Sequence, residues 1–296
     1  MAPVLVDILR LIRPKQWIKN FFVLAPLALS YKISSPETIR VGLMAFLVFC
    51  VAASAVYVWN DIIDRKRDCE HPTKRTRPIA SGKISLQRGI LLALFLLAAG
   101  LIAAYKLDPS FLEAVAAYFV LNLLYSLYLK HIVLIDLFAL AGNYVLRVLA
   151  GTLVINEVIT PWVIILATLL ALFLAIGKRR GEYLALQQKA SEHRKTLADY
   201  HPYFLDQLNA IITSLIVMAW ILYTMDPAVQ MRLHSPLLPL TIPLVLYGVF
   251  RYQFIIHRKG GGESPSQTFL TDPPLLITVG LWFFLIVHSR VAHLFS

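Results

Sequence analysis

The chain has 296 residues, of which 58% are hydrophobic and 15% are charged. Soluble domains usually carry about a quarter charged residues, so this composition excludes an ordinary soluble domain. In a chain this apolar, the net charge of +11 indicates basic loops at a membrane surface. We therefore expect the membrane bilayer as a partner and no nucleic acid.

Apolar blocks predict nine membrane-spanning helices. A helix needs about 20 apolar residues to cross the hydrocarbon core of a bilayer. Blocks near that length cover residues 19–33, 40–59, 89–106, 110–129, 131–156, 160–176, 207–226, 236–256 and 274–293. We expect an all-α polytopic membrane protein whose residues 1–296 form a single transmembrane domain, with eight spans if one pair is divided wrongly.

The distribution of basic residues predicts the orientation of these spans. Lys and Arg concentrate in the cytoplasmic loops of helical membrane proteins. With the N-terminus inside, the basic residues left outside are few, and Arg147 lies within a span. Those outside are Lys32, Arg40, Lys106, Arg232 and Arg290. The polar loops, near 64–88, 177–206 and 258–272, then all face the cytoplasm, and we expect a plasma (inner) membrane location.

The segment LRLIRPKQWIKNFF at residues 9–22 predicts an interfacial helix that runs into the first span. Lys15, Lys19 and Asn20 lie where this segment enters the membrane. Two interpretations stay open for them: an interfacial anchor together with Trp17, or a phosphate-binding role. No signal-peptide pattern precedes the segment, and two cysteines provide no disulfide framework.

The stretch NDIIDRKRD at residues 60–68 ends the second predicted span with clustered acids. Asn60, Asp64 and Asp68 are spaced i, i+4 and i+8 and share one helix face, with Asp61 at its edge. Oxygen ligands one turn apart suit Mg²⁺, which completes its shell with water and substrate phosphate. The alternative is a solvated helix end whose acids pair with the neighbouring bases.

The motif N-D-x-x-D-x-x-x-D, followed by HPTKRTRPIASGKIS, resembles the first aspartate-rich motif of the UbiA superfamily of intramembrane prenyltransferases. The resemblance implies an enzyme with nine helices around a cavity that opens to the cytoplasm. It also implies that Asn60, Asp64 and Asp68 hold a Mg²⁺–diphosphate, with Asp61 assisting catalysis. The loop residues that it assigns to phosphate binding are Lys74, Arg75 and Arg77, and His71 lies beside them.

A departure from the common UbiA pattern follows the sixth span. Where aromatic prenyltransferases of the superfamily carry D-x-x-x-D, this chain reads GKRRGEYLAL, with one acid, Glu182, beside Lys178, Arg179 and Arg180. Fewer acids and more bases predict fewer metal ions and more direct phosphate contacts.

Together with RPKQWIKN, the stretch KRRGE resembles the phosphoribosyltransferase branch of the superfamily. That resemblance implies 5-phosphoribosyl 1-diphosphate as donor and a polyprenyl (decaprenyl) monophosphate as acceptor. The product would be a precursor of cell-wall arabinan.

Further polar residues lie on the fourth and fifth predicted spans. The stretch YSLYLK resembles a Tyr–Lys element of the superfamily, in which Lys130 is paired with either Tyr125 or Tyr128. In the fifth span, Asp136, Asn143 and Arg147 share a stripe, and ionisable residues within a membrane are functional candidates. We expect Asp136 to join the cavity, and Arg147 to contact substrate, pair with Asp136 or reach the outer surface.

Two other functions stay open at this point. The first is an aromatic prenyltransferase that joins a polyprenyl diphosphate to an acid such as 4-hydroxybenzoate, against which the missing second aspartate motif argues. The second is a transporter or channel, although transporters place binding groups near the midplane in repeated halves. A homo-oligomer is compatible with either reading.

Overall fold

The computed structural model describes residues 2–70, 74–186, 199–233, 237–258, 268 and 271–293, and these contain helices and no strand. The α-helices are α1 (Ala2–Ile12), α2 (Ala25–Ala28), α3 (Pro36–Ile63), α4 (Arg65–Glu70), α5 (Leu86–Leu107), α6 (Pro109–Leu127), α7 (Ile135–Val154), α8 (Pro161–Leu186), α9 (Pro202–Met225), α10 (Pro227–Leu233), α11 (Ile242–Arg258) and α12 (Pro273–His293). Short 3-10 helices lie at Pro14–Val23, Tyr31–Ser34, Lys74–Thr76, Leu129–His131 and Leu238–Thr241.

Within the described residues, 7 helices are long and apolar enough to cross a membrane. They are α3, α5, α6, α7, α8, α9 and the run Leu238–Arg258 that contains α11. The predicted blocks from 40–59 to 236–256 each fall on one of these helices. The last block, 274–293, falls on α12, whose apolar part Pro273–His288 is shorter.

The first predicted span is not a continuous helix, so the prediction of one interfacial helix running into it was wrong. Helix α1 ends at Ile12, and Arg13 adopts a left-handed conformation with φ of 53°. A 3-10 segment, Pro14–Val23, follows and gives way to the four-residue α2. Pro14 and Pro26 lack the amide N–H that a continuous α-helix needs, which explains the breaks.

Helix α3 is the centre of the N-terminal half of the bundle. Its start is specified by Ser35, whose hydroxyl accepts from the Thr38 amide, and by Pro36 in the first turn. It packs against α5, α6 and the 3-10 segment Pro14–Val23. The Phe49 ring lies 4.9 Å from the Tyr118 ring in this core. These contacts place the acidic end of α3 beside the N-terminal segment.

Helix α7 joins the two halves of the bundle because it packs against α6 on one side and α8 on the other. Asp136, Asn143 and Arg147 are all buried along it, which confirms that they share an inward-facing stripe. In the C-terminal half, α8 packs against α9, and Phe173 lies 5.0 Å from Tyr252. Charged side chains of α7 and α8 therefore meet inside the bundle.

Candidate active site

The acidic stretch keeps helical hydrogen bonding across the boundary between α3 and α4. The Asp64 amide donates to the Asn60 carbonyl at 2.9 Å, and the Asp68 amide donates to the Asp64 carbonyl at 2.9 Å. Asn60, Asp64 and Asp68 therefore follow one another at one-turn intervals, as the sequence pattern predicts.

Each acid of this stretch is paired with a base from another part of the chain. Lys130 Nζ lies 2.8 Å from Asp64 Oδ1, and Arg77 Nη1 lies 2.7 Å from Asp68 Oδ2. The neighbouring acidic and basic residues of the stretch itself are not the partners in these pairs. This end of the bundle, which we call the opening, thus carries acids of α3 and α4 beside bases of the loop after α4 and of the 3-10 turn Leu129–His131.

Asp61 holds the N-terminal segment against this opening. Its carboxylate is 2% exposed and accepts from Arg77 at 3.1 Å and from Arg13. Two guanidinium groups thus neutralise one buried carboxylate. Arg13 was not singled out in the sequence, since a base before an apolar segment looks like an ordinary interfacial residue.

The loop after α4 brings further bases to the opening. Lys74 and Arg75 are exposed on the 3-10 turn Lys74–Thr76, and Arg77 is half-buried. Lys74 interacts electrostatically with Asp68, Asp64 and Glu182. The turn therefore lies near acids of α3, α4 and α8. His71 lies outside the described residues.

The three consecutive bases of α8, Lys178, Arg179 and Arg180, differ in exposure and in partners. Lys178 keeps 33% of its side chain exposed and lies 3.6 Å from Glu182. Arg179 is fully buried between Asp136, at 2.5 Å, and Glu182. Arg180 contacts Asp206 at 2.5 Å and donates to the Ile256 carbonyl at 3.0 Å. Lys178 therefore has the most exposed side chain of the three.

Asp136 pairs with Arg179, so the predicted pairing of Asp136 with Arg147 was wrong. Eleven residues separate the two on α7, about 16 Å along the helix, which is too far for an ion pair. The Tyr200 hydroxyl also donates to Asp136 Oδ1 at 2.7 Å and accepts from the Leu134 amide at 2.8 Å. Burial, together with the Asp136 carboxylate, raises the pKa of the Tyr200 phenol. Tyr200 was not predicted, because nothing in its local sequence marks it.

The structure distinguishes the two tyrosines at the end of α6. Tyr125 is half-buried and forms a side-chain hydrogen bond with Arg179, whereas Tyr128 is 64% exposed. Tyr125 is thus the tyrosine that lies among the charged residues. Ser126, another residue without a sequence signal, donates from its hydroxyl to Asn60 Oδ1 at 2.5 Å.

Arg147 lies deeper in the bundle, away from the opening. Its Nε donates to Asn20 Oδ1 at 2.9 Å, and its Nη2 donates to the Tyr118 hydroxyl at 2.9 Å. Lys19 interacts electrostatically with Lys178 and Arg147, so it lies between the opening and this deeper level. Lys15 is exposed at the start of the 3-10 segment.

The oxygen donors at the end of α3 fit a magnesium ion that shares its shell with substrate. Among the described residues, no group of three or more His, Cys, Asp or Glu side chains is placed to hold a metal ion. Mg²⁺ is usually bound by one or two carboxylates and completes its octahedron with water and phosphate oxygens. Asp64 and Asp68, with the amide oxygen of Asn60, match that requirement.

Comparisons with known proteins show which proteins this chain resembles. A chain from Corynebacterium glutamicum named decaprenyl-phosphate phosphoribosyltransferase is 32% identical over 283 residues, which cover 94% of this chain and 85% of that protein. A protein of the same name from Mycobacterium tuberculosis is 30% identical over 254 residues, 84% of each chain.

A solved structure shares the fold. The UbiA homologue from Archaeoglobus fulgidus bound to DMAPP and Mg²⁺ superposes with a TM-score of 0.71 at 20% identity, over 96% of this chain and 99% of that one. The profile of the UbiA prenyltransferase family matches residues 21–285. The chain is therefore a transferase enzyme that belongs to the UbiA prenyltransferase family.

Proposed function

We propose that the protein transfers 5-phosphoribose from 5-phosphoribosyl 1-diphosphate to a polyprenyl (decaprenyl) monophosphate and releases diphosphate. The observation that carries this proposal is the composition of the wall facing the α3 acids. There Lys178 lies 3.6 Å from Glu182, and Lys19 interacts electrostatically with Lys178, Arg147, Arg13 and Glu182, of which only Glu182 is an acid. Such a wall suits substrates that together bring several phosphate groups. The names of the C. glutamicum and M. tuberculosis relatives support the same donor and acceptor.

In this proposal Asn60, Asp64 and Asp68 hold a Mg²⁺ ion together with the donor diphosphate. The ion would supply Lewis-acid neutralisation of the negative charge that develops on the leaving diphosphate. The bases already paired with these acids, Lys130 and Arg77, are close enough to contact the same phosphate oxygens.

The remaining site residues bind and orient the two substrates. Lys74 and Arg75 extend from the loop over the opening, and Lys178 with Lys19 holds phosphate oxygens on the far wall. The acceptor phosphate is already anionic at neutral pH, so no general base has to remove a proton. It attacks C1 of the ribose from the face opposite the diphosphate, and the product has the inverted anomeric configuration. Catalysis is mainly positioning and electrostatic stabilisation.

Four residues hold the other side chains of this site in place through ion pairs. They are Arg179, Asp136, Asp61 and Glu182. Arg179 and Asp136 form a buried pair, and Asp61 ties Arg77 to Arg13. Glu182 contacts both Lys178 and Arg179 and so orients the Lys178 ammonium. These contacts favour a positioning role for Asp61 and Glu182, which were expected to be catalytic, and for Asp136, which was expected to join the cavity.

We further propose that nine membrane crossings place this cavity at the cytoplasmic face of the plasma membrane. The broken segment 14–34 and helix α12 would add two crossings to the seven long helices. The bases of the opening, Arg77 and Lys130, then face inside with the N-terminus, in keeping with the positive-inside rule.

A transfer assay with purified protein tests the proposed reaction. Protein, Mg²⁺, labelled 5-phosphoribosyl 1-diphosphate and a polyprenyl phosphate should give a labelled lipid, and EDTA should abolish the labelling. The proposal fails if no label enters lipid while the same preparation joins geranyl diphosphate to 4-hydroxybenzoate. That second result identifies an aromatic prenyltransferase.

A further inference from the structure

A buried guanidinium that pairs with no acid among the described residues lies on α7. Arg147 is 3% exposed, about 18 Å along the helix from its first residue, Ile135. Its donors reach neutral acceptors, the amide of Asn20, the hydroxyl of Tyr118 and the carbonyl of Asn143. In the described part of the chain its strongest ionisable neighbours are all tyrosines. Burying a charge in this way is costly unless an opposite charge joins it.

A second buried polar group, the Tyr57 hydroxyl, lies near Arg147. The Tyr57 hydroxyl is buried and has no hydrogen-bond partner among the described residues. Its ionisable neighbours include Arg147, Tyr118 and Tyr144. Buried hydroxyl groups are normally paired, so an unpaired one beside a buried cation calls for an acceptor.

Two lysine side chains join this group from the side of the opening. Lys19 interacts electrostatically with Lys178 and Arg147, and Tyr144 interacts with both Arg147 and Lys178. We call the site formed by Tyr57, Arg147, Lys19 and Lys178 the deep chamber. Glu182, which pairs with Lys178, is the one acid among the strongest ionisable neighbours of Lys19.

We propose that the deep chamber binds a phosphomonoester dianion directly, without a metal ion. The acids that suit Mg²⁺ lie at the opening, whereas the deep chamber offers guanidinium, ammonium and phenol donors, the groups that bind phosphate oxygens directly. This inference rests on the proposed function, in which each substrate carries one such group. They are the 5-phosphate of the donor and the phosphate of the polyprenyl acceptor.

Phosphate binding in the absence of metal tests the site independently of turnover. Thermal unfolding in detergent with EDTA is followed while inorganic phosphate is added. Wild-type protein should be stabilised by phosphate, and Tyr57→Phe should need about tenfold more phosphate for the same shift, because a hydrogen bond to a charged group is lost. Since the Tyr57 hydroxyl bonds to no described residue, this variant should fold normally.

A matched control removes a phenol elsewhere. Tyr105 is 65% exposed on α5, and Tyr105→Phe should leave the phosphate response unchanged. Arg147→Lys keeps the charge but loses the forked donors, so it should weaken phosphate stabilisation at least as much as Tyr57→Phe. A phosphate response identical in wild type, Tyr57→Phe and Arg147→Lys overturns the inference.

Kinetics of transfer then identify which substrate supplies the phosphate. If it is the donor 5-phosphate, Tyr57→Phe should raise the KM for 5-phosphoribosyl 1-diphosphate about tenfold and show no defect with ribosyl 1-diphosphate lacking the 5-phosphate. If it is the acceptor, the KM for polyprenyl phosphate should rise about tenfold instead. Unchanged KM values for both substrates overturn the inference.

The two measurements separate this inference from the proposed function. Metal-independent phosphate binding that depends on Tyr57, without any phosphoribosyl transfer, leaves the deep chamber standing and rejects the reaction. Transfer that proceeds normally in Tyr57→Phe and Arg147→Lys, with no phosphate response, leaves the reaction standing and rejects the deep chamber.

Discussion

The Asp64 carboxylate lies 2.8 Å from the Lys130 ammonium. Replacing it in Asp64→Ala should lower kcat/KM for phosphoribosyl transfer about a hundredfold or more, because an oxygen ligand is lost and Lys130 loses this ion pair. The measurement is initial rate of lipid labelling at several Mg²⁺ concentrations.

Glu37→Ala is the control variant for Asp64→Ala, because it also removes an acid from one end of α3. Glu37 pairs with Arg40 on the exposed start of α3, and exposed pairs contribute little to stability. Glu37→Ala should therefore transfer at the wild-type rate. Equal rates for Asp64→Ala and wild type would remove Asp64 from the site.

Arg179 differs from the bases at the opening because its whole side chain is buried. Arg179→Met leaves the Asp136 carboxylate without its cation, and breaking such a buried pair costs about 3–5 kcal/mol. The expected result is a large fall in the unfolding temperature of the protein in detergent.

A double variant separates stability from substrate contact at this pair. Arg179→Met with Asp136→Leu removes both charges, and buried pairs replaced by apolar residues are often no less stable. The double variant should therefore unfold at a temperature closer to that of the wild type than Arg179→Met does. Normal stability in Arg179→Met, combined with lost transfer, would instead assign Arg179 to substrate binding.

At the scale of elements, helix α7 and the 3-10 segment Pro14–Val23 approach closely at Gly151. A Cβ at this position would overlap the Val23 carbonyl oxygen, which is backbone and has no freedom to rotate away. Gly151→Ala should destabilise the protein by about 1–3 kcal/mol through overpacking. Gly280→Ala is the control, since nothing lies within 4 Å of an added Cβ there.

Hydropathy was sufficient to locate the long helices but not the segment before α3. A helix such as α5 satisfies its own backbone hydrogen bonds, so twenty apolar residues in a membrane leave little choice of structure. The segment that starts at Arg13 is decided by two prolines and by contacts with α3 and α7. Its 3-10 form depends on neighbours that are distant in sequence.

The charged residues of the site were predictable, whereas their partners were not. Asp64 and Asp68 stand out as acids beside an apolar block, and one-turn spacing places them on one face. Their pairing with Lys130 and Arg77 depends on how α6 and the loop meet the end of α3. No sequence signal marks Ser126 and Tyr200 either. Their hydrogen bonds to Asn60 and Asp136 depend on which helices pack together.

At the scale of the whole molecule, chemical labelling of Cys69 tests on which side of the membrane the site lies. Cys69 is exposed at the opening, whereas Cys50 is buried. A membrane-impermeant maleimide should label Cys69 in inverted membrane vesicles and leave it unlabelled in right-side-out vesicles. In a Cys69→Ser background, Ser110→Cys at the start of α6 should give the reverse pattern. Labelling of Cys69 from the outer side contradicts the proposed orientation.

The 3-10 segment Pro14–Val23 also connects two side-chain contacts at a fixed distance. Arg13, which precedes the segment, forms an ion pair with Asp61 at the opening. Asn20 accepts a hydrogen bond from Arg147 in the deep chamber. Because a 3-10 helix rises about 2 Å per residue, these seven steps span about 14 Å, against about 10 Å for an α-helix. One segment thus sets the separation between Asp61 and Arg147, and with it the length of a substrate that contacts both ends of the proposed site.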